Sequence, residues 1–235
     1  EGVTNRPGVW GRPSEDREEV DRLRNSVAEA DALIVCHGSP YIDASILDSA
    51  PKLSLIGELE GDRFANRIDV EEAIRRGVRV VDTTHGSSLP VAEWALGLML
   101  IGLRNAAQHY RNLIAGHLVR PSKDDPGYRT GELTGKTVGV IGYGHIGRRL
   151  TELLEPFACR ILVYDPYLAK DVAVAMKVQP TTLDHVMSDP DIVVCCAPLT
   201  PATRRMIGAR ELALLHSDSV FVNVSRGPIV DPEAL

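Results

Sequence analysis

The sequence predicts an α/β protein of two units, each a parallel sheet flanked by helices. Three observations carry that expectation. Apolar, β-branched runs of strand length alternate with helical patterns through both halves of the 235 residues, and such alternation calls for parallel strands joined by crossover helices. A segment rich in turn formers, "RPSKDDPGYRTGELTG" at 120–135, interrupts the alternation once, either as a surface loop or as a hinge. Directly after it, three glycines fall between a strand pattern and a helix pattern.

Taken in order, "SEDREEVDRLRNSVAEA" has helical periodicity with Ser14 placed as N-cap, and "DALIVCHG" at 31–38 follows as a strand-length apolar run. "PKLSLIGEL" at 51–59 and "VRVVDTT" at 78–84 repeat the strand signal, with a helical "DVEEAIRRG" between them that ends at Gly77. A long helix starts near Ser88, has Pro90 in its first turn and runs to about Gly116. Its stretch "VAEWALGLMLIGL", 91–103, reads as a buried helix, being too short to span a bilayer and carrying Glu93. Beyond the interruption, strands are expected at 137–141, 161–165, 191–196 and 219–223, and helices at 145–156 and 209–215. The two domains are accordingly placed at 1–108 and 109–235.

Composition narrows the function classes. With 44% hydrophobic residues the chain can bury a sizeable core, and its formal net charge of −6 is spread rather than blocked, which disfavours nucleic acid and anionic membrane as partners. Cys36, Cys159, Cys195 and Cys196 form no C-x-x-C pair, so neither a disulfide framework nor a zinc site is expected, and a reducing, cytoplasmic setting fits. The histidines form no metal-ligand cluster with other side chains, so no metal is expected.

The glycines bear on chemistry. Gly142, Gly144 and Gly147 match G-x-G-x-x-G, a spacing that is weak evidence alone in a chain with 20 glycines. Its setting makes it specific: the strand pattern "KTVGVI" precedes it, the amphipathic "HIGRRLTELLEPF" follows it, and "ILVYD" supplies a second strand ending in Asp165. Such a unit is the dinucleotide-binding start of a Rossmann-type, doubly wound parallel sheet. Gly142 permits the tight turn, Gly144 lets the backbone approach a pyrophosphate, Gly147 allows close helix–strand packing, and the helix N-terminus offers N–H groups to the phosphates. Asp165 can accept both ribose hydroxyls and repels a 2′-phosphate, which points to NAD over NADP, although Lys170 lies nearby in sequence.

Together with "YDPY" at 164–167, "PLTPAT" at 198–203 and "NVSRGPIVDPEAL" at 223–235, the "GYGHIG" segment resembles the NAD-dependent D-2-hydroxyacid dehydrogenases. In the first half, "IDVEEAIRRGVRVVDTT" and "SLPVAEWALGLML" look like that family's smaller, flavodoxin-like α/β substrate domain. The resemblance implies reversible hydride transfer between NAD(H) and a small D-2-hydroxy or 2-oxo acid, with a homodimer as the expected assembly. It makes Arg226 the catalytic arginine, whose planar fork grips a carboxylate and polarises the adjacent carbonyl. It also places His145 and Ile146 along the pyrophosphate, Ala197 and Pro198 beside the adenosine, Val224 and Ser225 toward the nicotinamide, and Thr83 against the cofactor from the other domain. The contribution of His145 is its backbone N–H.

The chain departs from the family in two places. The family's general acid/base is a histidine supported by a glutamate, both lying beyond the segment matching "VDPEAL"; this sequence therefore lacks both and reads as a fragment of a longer enzyme, or as a short product that binds NAD without proton transfer. His85, in "HGSS" after a strand pattern, is the best internal substitute, while His37, His109, His117, His185 and His216 read as ordinary structural residues. The second departure is "GELEGDRFANRID", 57–69, in place of a short glycine-rich turn: Glu58, Glu60 and Asp62 set negative charge where a substrate carboxylate is expected, with Arg63 and Arg67 available to offset it. A non-enzymatic NAD(H)-responsive binding protein on the same scaffold is the alternative; an S-adenosylmethionine-binding enzyme is a third reading, disfavoured by "SRGPIVD".

Overall fold

A computed structural model describes residues 13–36, 38–59, 67–117 and 131–235. The chain divides into two compact units, Glu1–Gly86 and Ser87–Leu235. The first contains α1 (Arg17–Val27), β1 (Ala32–Val35), α2 (Ala44–Asp48), β2 (Leu55–Glu58), α3 (Val70–Arg75) and β3 (Arg79–Asp82). Its strands pair in parallel in the order β1-β2-β3. Leu23 and Val27 of α1, Ile46 of α2 and Ala73 of α3 pack with Val35 and Ile56 in one apolar core.

The N-cap of α1 is Asp16 rather than Ser14. The Asp16 carboxylate accepts the Glu18 N–H at 3.0 Å, while the Ser14 hydroxyl accepts the Asp16 N–H at 3.3 Å and donates to the Glu19 carboxylate. Asp43 and Asp69 cap α2 and α3 in the same manner, each through a 3.0 Å bond to a first-turn N–H.

The second unit contains α4 (Ser88–Leu103), α5 (Ala106–Ile114), β4 (Thr137–Ile141), α6 (His145–Leu154), β5 (Arg160–Tyr164), α7 (Lys170–Ala175), β6 (Gln179–Pro180), α8 (Leu183–Ser188), β7 (Ile192–Cys195), α9 (Ala209–Leu212) and β8 (Val220–Asn223). The expected continuous helix from 88 to 116 is two helices. Asn105 takes a left-handed φ of 47°, which no α-helix continues through, and the chain restarts at Ala106. The helix α4 belongs with this unit because Ala92, Ala95 and Met99 are buried on α6 and the sheet, and a Cβ on Gly102 would come within 2.6 Å of the Val220 side chain. This moves the break between compact units ahead of the anticipated 108/109 boundary. With the 3₁₀ turn before it, His85–Leu103 is long and apolar enough to cross a membrane by length and composition alone. The buried helix expected there is buried on one face only, through Ala92, Ala95, Met99 and Leu103, with Trp94 60% exposed.

The five strands are all parallel in the order β6-β5-β4-β7-β8. The chain builds outward from β4 in one direction and then crosses to the other side, so β4 and its neighbour β7 mark the point where the winding reverses. Alternation assigns the two faces: Val138, Val140, Ile192 and Val194 pack with α4 and α6, whereas Leu162, Val193 and Cys195 pack with Val186 and Met187 of α8. Both faces of the central strands are apolar because helices cover both.

Candidate functional site

All four loops singled out in the second half leave the carboxyl ends of strands in one sheet. β4 hands over to α6 through Gly142, whose φ is +88° and whose Cβ, if present, would lie 2.6 Å from Ala197 Cα and 2.7 Å from Ala197 N. The Cys196–Ala197 backbone leaves no room for a side chain. Tyr143 turns inward, is buried, and bonds through its hydroxyl to Thr151 Oγ1 at 2.9 Å, pinning the turn to the helix it starts. Burial raises the pKa of that phenol, so it stays neutral. Gly147 sits with its missing Cβ 2.5 Å from the Gly142 carbonyl oxygen and 3.3 Å from Val140 Cγ1. The third glycine therefore closes the turn on its own carbonyl as well as on the strand.

Gly144 differs from both. It is exposed, its φ is −79°, and a Cβ there would meet nothing within 4 Å. As the N-cap of α6 it has no side chain with which to cap the helix. The first-turn N–H groups at His145, Ile146 and Gly147 lie at the positive end of the helix dipole, which favours an anion. His145 is exposed and Ile146 half-buried against the core, consistent with backbone rather than side-chain use of this turn.

Asp165 follows β5 and is tied to the glycine turn. Its Oδ2 accepts the Tyr143 N–H at 2.7 Å and its Oδ1 accepts the Tyr167 N–H at 2.8 Å. Each carboxylate oxygen retains a lone pair, so the half-buried group is held rigidly without losing its capacity to accept hydroxyls.

Beyond β7, Ala197 is buried and Pro198 half-buried. The Pro198 carbonyl accepts the Thr203 hydroxyl at 2.6 Å, and Thr203 Oγ1 accepts the Thr200 N–H at 2.7 Å, which folds "PLTPAT" into a braced turn. The neighbouring Cys195 thiol is pushed up to about 11 by burial, and burial also raises that of Cys196, so neither is a nucleophile at neutral pH. Beyond β8, the Ser225 hydroxyl donates to the Ala197 carbonyl, joining the two loops. Arg226 is exposed, with Nη1 donating to the Ser225 carbonyl at 3.2 Å. After it the chain is anchored by Ile229, fully buried beside Ile207, and by backbone bonds Arg205 N–H to Pro228 O at 2.8 Å and Ile207 N–H to Ile229 O at 3.1 Å. The site therefore joins an anion-accepting turn, a fixed carboxylate and an exposed guanidinium on one sheet edge.

A family model described as "D-isomer specific 2-hydroxyacid dehydrogenase, NAD binding domain" matches residues 96–235. The chain belongs to the D-2-hydroxyacid dehydrogenase family. Within this family it is 35% identical to a D-3-phosphoglycerate dehydrogenase of Methanocaldococcus jannaschii over 92% of this chain and 40% of that protein. It is 32% identical to a glyoxylate reductase of Thermococcus gammatolerans over 97% of this chain and 67% of the relative. Among solved structures, the pyruvate reductase of Chlamydomonas reinhardtii superposes with a TM-score of 0.66 at 28% identity, covering 91% of this chain and 61% of that one. The chain thus spans between two fifths and two thirds of the length of these D-2-hydroxyacid dehydrogenase relatives. NAD is the cofactor of the matched domain.

The other half of this dehydrogenase-family chain contributes two observations. Thr83 directly follows β3, and both its N–H and its hydroxyl donate to the Glu58 carbonyl, at 2.8 and 2.9 Å. The Glu58 side chain is not the loose negative charge that the sequence suggests: it is fully buried, with Oε1 3.2 Å from Nη1 of an equally buried Arg67. Of the two arginines expected to offset the acidic segment, Arg67 therefore does so for Glu58, while Glu60, Asp62 and Arg63 lie outside the described residues. His85 is exposed in the 3₁₀ turn Thr84–Ser87, and His37 lies outside the described residues. Among the described residues no group of three or more His, Cys, Asp or Glu is arranged to hold a metal ion. The residue that sequence reasoning missed is Asn223, whose side chain bonds across the Arg226 turn.

Proposed function

We propose that this protein transfers a hydride reversibly between NAD(H) and a small D-2-hydroxy or 2-oxo acid. The observation that carries the reading is the shared sheet edge: the glycine-capped α6 N-terminus, Asp165 fixed to the Tyr143 N–H, and Arg226 two strands away. In this assignment the amides of His145, Ile146 and Gly147 hold the pyrophosphate and Asp165 accepts the ribose hydroxyls. Ala197 and Pro198 border the adenosine, Val224 and Ser225 the nicotinamide, and Thr83 adds a contact to the cofactor. NAD supplies the hydride-accepting ring. Arg226 binds the substrate carboxylate in two hydrogen bonds and draws charge onto the carbonyl oxygen as it develops. The arginine orients and polarises, and the proton that the reduced oxygen needs is taken from water.

The decisive experiment titrates NADH by fluorescence and then follows its oxidation with a panel of 2-oxo acids. Saturable NADH binding followed by turnover of at least one acid is the expected result; a protein that binds no NADH refutes the proposal. Replacing Asp165 by alanine should weaken NADH binding about 10- to 100-fold, the equivalent of losing one or two hydrogen bonds to a charged group, and should narrow its advantage over NADPH. Unchanged affinity for both would remove Asp165 from the site. Arg226→Lys should lower kcat/KM about 100-fold with NADH affinity nearly intact, because an ammonium cannot reproduce the two-pronged grip. A loss confined to NADH affinity would contradict the assignment.

We also propose a homodimer in the cytoplasm. The exposed apolar side chains of α4 and α5, with Trp94 at 60%, Tyr110 at 64% and Ile114 at 70%, form an apolar surface suited to a second copy. The four cysteines are free thiols, as expected of a reducing compartment. A monomeric mass at micromolar concentration would refute the dimer.

A further inference from the structure

We infer that Asn223 is the positioning residue for Arg226. This rests on the reading that Arg226 holds the substrate carboxylate. Asn223 is the last residue of β8, pairing in register with Cys195 of β7, so its backbone is fixed by the sheet. Its side chain then reaches over the turn that follows. The amide oxygen accepts the Ser225 N–H at 3.0 Å, and the amide nitrogen donates to the Arg226 carbonyl at 3.2 Å. One planar group therefore braces both peptide units that flank the Ser225–Arg226 step. Only a primary amide of this length supplies an acceptor and a donor together: an aspartate keeps the first bond and sets a negative oxygen against the Arg226 carbonyl, and an alanine loses both.

The brace fixes the peptide units on either side of the step from which the arginine extends. Arg226 lies on the exposed side of its loop with an extended backbone, φ −129° and ψ 140°, and its guanidinium donates to the adjacent Ser225 carbonyl. The fork extends from the backbone at 225 and 226, and Asn223 ties that backbone to the strand while the Ile229 N–H also donates to the Arg226 carbonyl at 3.2 Å. A two-pronged grip on a carboxylate is sensitive to displacements well under an ångström, whereas cofactor binding at the β4–α6 turn does not depend on this step.

The test measures binding of oxamate, an unreactive isostere of a 2-oxo acid, to the NADH complex by fluorescence, in Asn223→Asp, Asn223→Ala, Arg226→Lys and the double variant Asn223→Asp/Arg226→Lys. Each Asn223 variant is expected to weaken oxamate at least tenfold while NADH affinity stays within twofold, which also shows that the protein is folded. In the lysine background, where a flexible ammonium does not rely on fork orientation, Asn223→Asp should change oxamate affinity less than threefold. A full tenfold effect in that background, or equal losses of NADH and oxamate, would overturn the positioning role while leaving Arg226 in the site. Oxamate affinity unaffected by Arg226→Lys would overturn both.

Discussion

Replacing Arg67 by methionine should lower stability by about 3–5 kcal/mol, and replacing Glu58 by leucine at the same time should recover most of that loss. Both side chains are fully buried, 3.2 Å apart at their closest charged atoms, and Arg67 is the bulkiest fully buried side chain among the described residues. Removing one partner breaks a fully buried ion pair in the interior of the first unit, which costs far more than losing a surface pair. Removing both with apolar residues of similar volume leaves only packing differences, which cores tolerate at about 1–2 kcal/mol. Urea unfolding followed by circular dichroism checks the pair of results. A single variant within 1 kcal/mol of the parent would show that the pair is solvated in solution.

That pair also shows where the sequence stops being legible. Nothing in "GELEGDRFANRID" tells that its first acid turns inward and meets an arginine nine positions on; the spacing matches no helical or strand neighbour rule, and the contact is made by the fold. The same holds for Asn223, whose value lies in a turn geometry that exists only once β8 is placed. Asn105 is likewise silent in sequence, since a left-handed residue inside an otherwise helical pattern leaves the periodicity intact on both sides. The helices α2, α7 and α8 have five or six residues each and β6 has two, so little periodic signal accumulates in them.

By contrast, the β4–α6 turn was readable because three levels agree there. A period of two gives way to a period of 3.6, glycine occupies the positions where backbone presses on backbone, and an acid ends the next strand. The order of the five-stranded sheet follows from that start, because right-handed crossovers on either side of β4 leave few other arrangements. Sequence reasoning therefore located the loops at the carboxyl edge but not the hydrogen bonds that hold them rigid, such as Thr203 to the Pro198 carbonyl or Ser225 to the Ala197 carbonyl.

The glycines of that turn separate folding from binding, and alanine at each should fail in a different way. Gly142→Ala should destabilise the protein by about 3–5 kcal/mol, combining the strain of a side chain at φ +88° with a Cβ pressed to 2.6 Å from Ala197 Cα, neither of which a rotamer change can relieve. Its NADH affinity should fall with its stability, because the β4 and β7 loops are forced apart. Gly144→Ala has no such conflict: its φ of −79° suits alanine and its Cβ meets no protein atom within 4 Å, so stability should stay within about 1 kcal/mol of the parent. Its NADH affinity should nonetheless drop at least 100-fold, because the new methyl group stands where the pyrophosphate approaches the helix amides. Thermal unfolding and NADH titration on the two variants give four numbers, and the proposed cofactor placement requires that only the Gly144 variant keep its stability while losing its ligand. A Gly144→Ala protein that binds NADH as the parent does would move the pyrophosphate away from this turn.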